Sequence, residues 1–179
     1  MTKPVDWLRL QAEVGTWSLL NFGNEPPHMQ VLGVIEELGE LEQAIAVYAV
    51  TPPRERYASR PAVEDAAGDT MIFIADYCAR QNHSLEVVVE VGRRLRRVVL
   101  PVVQIMGKLA HHQLKWEQRI RLEERHDVAI LDLLSDVVAH LDHTLCFGRF
   151  YPLDKVVMET WAQVRKRNWV ANPETGTNA

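Results

Sequence analysis

Apolar residues along this chain recur at spacings of three and four and almost never at two. That is the period of an amphipathic helix, and strand signals are nearly absent. The pattern predicts an all-α protein, a helical bundle, with helices over about 4–20, 28–49, 62–81, 85–99, 102–124, 127–146 and 152–168. Pro26-Pro27 opens the second helix and Thr51-Pro52-Pro53 closes it, since proline suits a first turn and cannot continue a helix. Arg54 to Pro61, RERYASRP, reads as a polar loop. Ser84 is a good N-cap for the fourth helix, and the tail NPETGTNA reads as loosely ordered.

The 179 residues are 47% hydrophobic, enough for a sizeable core. A formal net charge of −4 argues against a nucleic-acid binder working through a broad basic surface. No apolar run approaches the length of a membrane span. The start, MTKPVDWLRLQAE, lacks the apolar core of a signal peptide. Cys78 and Cys146 have no zinc-type spacing, so the expectation is a reduced, cytoplasmic protein with no membrane and no nucleic-acid partner.

The second half of the chain resembles the first. VIEELGELEQAI from Val34 aligns with VVQIMGKLAHHQL, Gly39 meeting Gly107. DAAGDTMIFIADYC aligns with DLLSDVVAHLDHTLC, so that Asp65 and Asp69 meet Asp132 and Asp136 and Cys78 meets Cys146. SLEVVVE then resembles PLDKVVME. Four blocks in one order at an offset of 67 or 68 residues point to a tandem duplication. Chance likeness between two helical hairpins is the plainer alternative. The expected organisation is a first repeat over 1–100, a second over 101–170 packed on it, and a flexible tail over 171–179.

Within the first repeat, Glu36, Glu37 and Glu40 fall in one sector of about 100° on their helix. Met29, Gly33, Ala44 and Val47 share that sector, so the acids interrupt a helix that is apolar nearly all round. Asp65, Asp69 and Asp76 lie within about 40° of one another on the next helix. Two antiparallel helices presenting these acids inward would set like charges against each other. Unpaired buried carboxylates are costly, and a divalent cation removes the conflict. An all-oxygen set favours Mg²⁺ or Mn²⁺ over zinc. An isolated E-E-x-x-E is common on solvated faces; the paired D-x-x-x-D one loop away is what points to a metal site.

E-E-L-G-E at Glu36–Glu40 followed by D-A-A-G-D at Asp65–Asp69 resembles the MazG-like, all-α nucleoside triphosphate pyrophosphohydrolases. WSLLNFGNEPPHMQVLGVIEELGELEQA looks like the start of the phage-type and short bacterial members, and ETWAQVRKRNWVANPETG like their end. The likeness covers about 15–83 and 152–176. It implies a helical bundle that pairs into dimers or larger assemblies, binds Mg²⁺ through E-E-x-x-E and E-x-x-D motifs, and hydrolyses a nucleoside triphosphate, or a dUTP-like nucleotide, to monophosphate and pyrophosphate. Carried over, Glu36, Glu37, Glu40 and Asp69 form the acidic set. The family's second acid falls on Ala66, and Asp65, one turn before Asp69, is the natural substitute.

Other roles follow from chemistry. Glu37 is the candidate to orient or deprotonate the attacking water. Arg54, Arg56 and Arg60 offer bidentate donors for phosphate, although loop arginines more often face water. Trp17 and Phe22 can stack on a base and Asn21 can read its edge, although core packing is the commoner duty of such a Trp. In the second repeat Gln104, Ile105 and Lys108 replace the three glutamates, so one active centre is expected, with the second repeat serving as a built-in partner subunit; a further homodimer is left open. His111, His112, His126, His140 and His143 all fall in that half and read as surface or partly buried residues. The competing readings are a non-enzymatic nucleotide-binding or regulatory bundle, and a phosphoribosyl-ATP pyrophosphohydrolase, whose chain plan is shorter.

Overall fold

In a computed structural model that describes residues 4–95 and 100–177, the chain is all-helical. The elements are α1 (Trp7–Phe22), α2 (His28–Val50), α3 (Arg56–Gln81), α4 (Leu85–Arg94), α5 (Val102–Glu117), α6 (His126–Phe147) and α7 (Leu153–Val164), with a short 3₁₀ turn at Leu122–Glu124. Local chemistry sets most of these limits. Asp6 caps α1 by accepting from the Arg9 N–H at 3.0 Å, and Ser84 caps α4 by accepting from Val87. Gly23 (φ +69°) and Asn82 (φ +54°) end α1 and α3 in left-handed conformations. Residues 1–3, residues 96–99, where the fourth helix is expected to end, and the final two residues of the tail lie outside the described residues.

Several boundaries differ from expectation: α4 ends at Arg94 and not near 99, and α7 at Val164 and not near 168. The stretch read as a loop, Arg54 to Pro61, is mostly helix: α3 begins at Arg56 and carries Pro61 inside it. Proline removes one donor near the helix start, and the carbonyl it leaves unpaired belongs to exposed Tyr57, where water can serve it. The Arg56 guanidinium donates back to the Thr51 and Ala49 carbonyls, fastening the end of α2 to the start of α3. The fifth helix stops at Glu117 and not near 124. Arg119, Arg121 and Arg125 all have positive φ (54°, 54° and 46°), an uncommon state for residues with a Cβ.

The packing follows a reciprocal plan. α2 lies along α3 and α5 along α6, two antiparallel hairpins. α4 packs on α6, while α7 returns to pack on α3; α1 also lies on α3. Helix-to-helix approach is closest at small residues. A Cβ on Gly68 of α3 would fall on the Thr160 side chain of α7, and one on Gly92 of α4 would meet the Ser135 carbonyl of α6 at 2.6 Å. Arg93 of α4 pairs with Asp142 of α6 and Asp154 of α7. Gln11 of α1 donates to the His83 carbonyl and accepts from the Leu85 N–H, fixing the α3–α4 turn. One apolar core runs through both hairpins, from Val34, Leu38, Met71 and Ile74 to Ile105, Leu109, Ile130, Leu134 and Leu141. Each such side chain contributes about 1.5–3 kcal/mol by leaving water.

Candidate functional site

A cavity of about 640 Å³ opens between α1, α2, α3 and the segment after α7. Its size suits a small-molecule ligand. Trp17, Phe22, Phe73 and Trp169 give it aromatic walls, and Met29, Leu32 and Ile72 add apolar surface. Trp17 meets Phe22 edge-to-face at 5.6 Å between centroids and Trp161 at 6.0 Å. Its indole N–H donates to the Arg167 carbonyl at 3.0 Å. Asn21 accepts from the Trp169 N–H at 2.8 Å and donates to the Trp17 carbonyl. Trp17 and Phe22 therefore face the cavity, while Asn21 spends its amide holding the closing segment in place.

Glu36, Glu37 and Asp69 line the same cavity. Glu37 and Asp69 are half-buried, whereas Glu36, Glu40 and Asp65 are exposed. The inward cluster expected from the helical wheel is thus a pair with three acids at its rim. α2 buries the face of Val31, Val34, Leu38 and Leu41, while Glu36, Glu40, Met29 and Val47 are exposed and Glu37 stands half-buried between. No three of these carboxylates bring oxygens within 4.8 Å of one another among the described residues.

The half-buried pair is electrostatically strained. Burial, then the charges of Asp69, Glu40, Glu36 and Asp65, push the Glu37 carboxyl up to about 8. Burial and Asp65 push Asp69 up to about 6, against the opposing pull of Arg167. Glu37 Oε2 is buried with no hydrogen-bond partner, a state that costs free energy unless a proton or cation meets it. Asp76, from the same stripe, is different. It accepts two hydrogen bonds from Arg80 Nε at 3.0 Å and one from Ser18 at 2.7 Å, so its charge is already answered inside the fold.

The three α2–α3 arginines do not line the cavity. Arg54 pairs with Glu55 at the surface, Arg56 holds backbone carbonyls, and Arg60 pairs with Glu64 at 2.6 Å while stacking on Tyr151. The cationic side chain in the lining is Arg167, joined by Trp169 from the same segment. Sequence reading missed both, because no local pattern signals a residue brought in from the far end of the chain. Ile105, which the expected repeat alignment sets against Glu37, is fully buried in the core. Nothing matches the chain among protein-family models, curated proteins or solved structures.

Proposed function

We propose that this protein is a metal-dependent nucleoside triphosphate pyrophosphohydrolase of the MazG-like kind, cleaving a nucleotide to its monophosphate and pyrophosphate. The observation that carries the reading is the half-buried pair Glu37 and Asp69, both raised in pKa, in the wall of an aromatic-lined cavity. The donor set fits a hard cation such as Mg²⁺ or Mn²⁺: it is all oxygen, and it includes the orphaned Oε2 of Glu37. Glu36, Glu37, Glu40 and Asp69 would hold the ion, with Asp65 in place of the acid missing at Ala66. When bound, the ion supplies neutralisation of the substrate's phosphates and activation of water.

The chain's own residues do the rest. Trp17, Phe22 and Trp169 take the base between aromatic faces. Arg167 donates to phosphate oxygens and balances acids that would otherwise repel an anionic substrate. Glu37 takes the proton of the water that attacks phosphorus. The first half alone carries the acids; the second half, with Ile105 and Lys108 at two of the acidic positions, adds Arg167 and Trp169 from its end and stands in for a partner subunit. Support for two tandem repeats arranged as a pseudo-dimer comes from the packing: Gly68 meets Thr160 as Gly92 meets Ser135, and Thr160 follows Gly92 by 68 residues as Ser135 follows Gly68 by 67. A cytoplasmic setting, with its nucleotide pool, goes with this reading.

The test is pyrophosphate release from a panel of standard and non-standard nucleoside triphosphates with Mg²⁺. Turnover of at least one nucleotide is expected, falling by about 100-fold or more in Glu37→Gln and Asp69→Asn. A well-folded protein that leaves every nucleotide intact overturns the reading. A nucleotide-binding bundle without turnover is the second reading, favoured by the separation of the carboxylates; binding without pyrophosphate release identifies it.

A further inference from the structure

The turn between α5 and α6 gathers a different donor set. One ring nitrogen each from His111 and His112, in the second half of α5, and a carboxylate oxygen of Glu124 lie within 4.8 Å of one another. His111 Nε2 stands 3.5 Å from Glu124 Oε2. Donor atoms about 2.0–2.2 Å from a tetrahedral ion are separated by a similar distance, roughly 3.3–3.5 Å. None of the three lines the cavity described above.

The neighbouring hydrogen bonds fix how the imidazoles can act. His126 is buried, with Nε2 3.0 Å from the Ile120 carbonyl and Nδ1 3.0 Å from His112 Nδ1. A carbonyl only accepts, so neutral His126 carries its proton on Nε2 and accepts at Nδ1. His112 must then donate from Nδ1, which leaves its Nε2 with a free lone pair. A relay from imidazole to imidazole to backbone carbonyl is the kind of support that orients a metal-ligating histidine. Arg121 lies 3.8 Å from the other oxygen, Glu124 Oε1, leaving Oε2 for the imidazoles. The left-handed Arg119, Arg121 and Arg125 fold the chain back so that Glu124 reaches α5.

We infer that His111, His112 and Glu124 form a three-ligand site for a divalent transition ion of the Zn²⁺ class, with His126 as the positioning residue. Two imidazoles and one carboxylate suit zinc and its neighbours over Mg²⁺. Three protein ligands leave a fourth position for water. The ion would tie the second half of α5 to the turn that precedes α6.

The site is tested by titrating Zn²⁺, and Co²⁺ as an optical probe, into the Glu37→Gln/Asp69→Asn protein, where the carboxylate cavity is disabled. Expected are one bound ion per chain, visible Co²⁺ absorption of low-symmetry character, and a rise in Tm with Zn²⁺. His111→Ala and Glu124→Gln alter accessible side chains, and each should weaken binding by at least about tenfold with an unchanged circular dichroism spectrum. Absence of Zn²⁺ binding in the doubly substituted protein overturns the inference, as does binding that survives both the His111 and the Glu124 substitutions. In either case the proposed hydrolase activity of the other site stands or falls separately.

Discussion

At the scale of single residues, Glu37 is where the physics is most exposed to test. Its folded pKa is raised above the usual carboxylate value, so the folded chain binds a proton that the unfolded chain has released. Stability of the metal-free protein therefore falls as pH rises from about 4.5 to about 8 and levels off above that. Solvent reaches this side chain, so the loss is about 1–2 kcal/mol and less than the full shift implies. Thermal melts in chelator across that range should show the fall, and Glu37→Gln should flatten it. Asp76 and Arg80 make the opposite kind of pair, charged and mutually satisfied in a site that is nearly dry. Arg80→Met leaves Asp76 uncompensated and should cost about 3–5 kcal/mol in urea unfolding.

Which of these residues were legible beforehand follows from what a helical wheel contains. The wheel places Glu36, Glu37 and Glu40 relative to one another, but it carries no absolute direction. Since α2 is apolar on several sides, the sequence alone left open which side meets the core. Glu37 and Asp69 turned inward; Glu36, Glu40 and Asp65 did not. The phosphate-seeking arginines were sought in the nearest loop, where Arg54, Arg56 and Arg60 find local partners instead.

At the scale of elements, the start of α4 and the end of α2 were readable from Ser84 and Thr51-Pro52-Pro53, whereas the Asp6 cap of α1 was not read and Pro61 lies inside α3. The end of α5 had no such mark. Its turn is made by arginines in a conformation that sequence ordinarily reserves for glycine or asparagine. The close helix contacts give a prediction of their own. Gly68→Ala pushes on Thr160, and Gly92→Ala pushes on a backbone carbonyl that cannot rotate away. Each should destabilise by about 1–3 kcal/mol. Thr160→Ala, which removes the hydroxyl that a Cβ at 68 would meet first, should recover part of the first loss; no side-chain change at Ser135 should recover the second. Chemical denaturation of Gly68→Ala and Gly92→Ala, and of each combined with a substitution at Thr160 or Ser135, checks this.

For the molecule as a whole, the decisive feature is that α4 leaves its own hairpin to pack on α6 while α7 returns to α3. Neither half can bury its apolar faces without the other. Separately expressed residues 1–95 and 100–179 should each be poorly structured by circular dichroism, and mixing them should restore helicity. Two halves that each fold alone would contradict the exchanged packing. Among the described residues, no helix is long and apolar enough to cross a membrane.

The cavity is closed by hydrogen bonds that tie Trp17, as donor, and Asn21, as acceptor, to a segment about 150 residues later in the chain. During synthesis, then, the aromatic walls at one end of the polypeptide wait for Arg167 and Trp169 to leave the ribosome before they enclose anything. A nascent or prematurely terminated chain has the acids but not the pocket. Any ligand this cavity takes would find its enclosing walls only once residues 167–169 are in place.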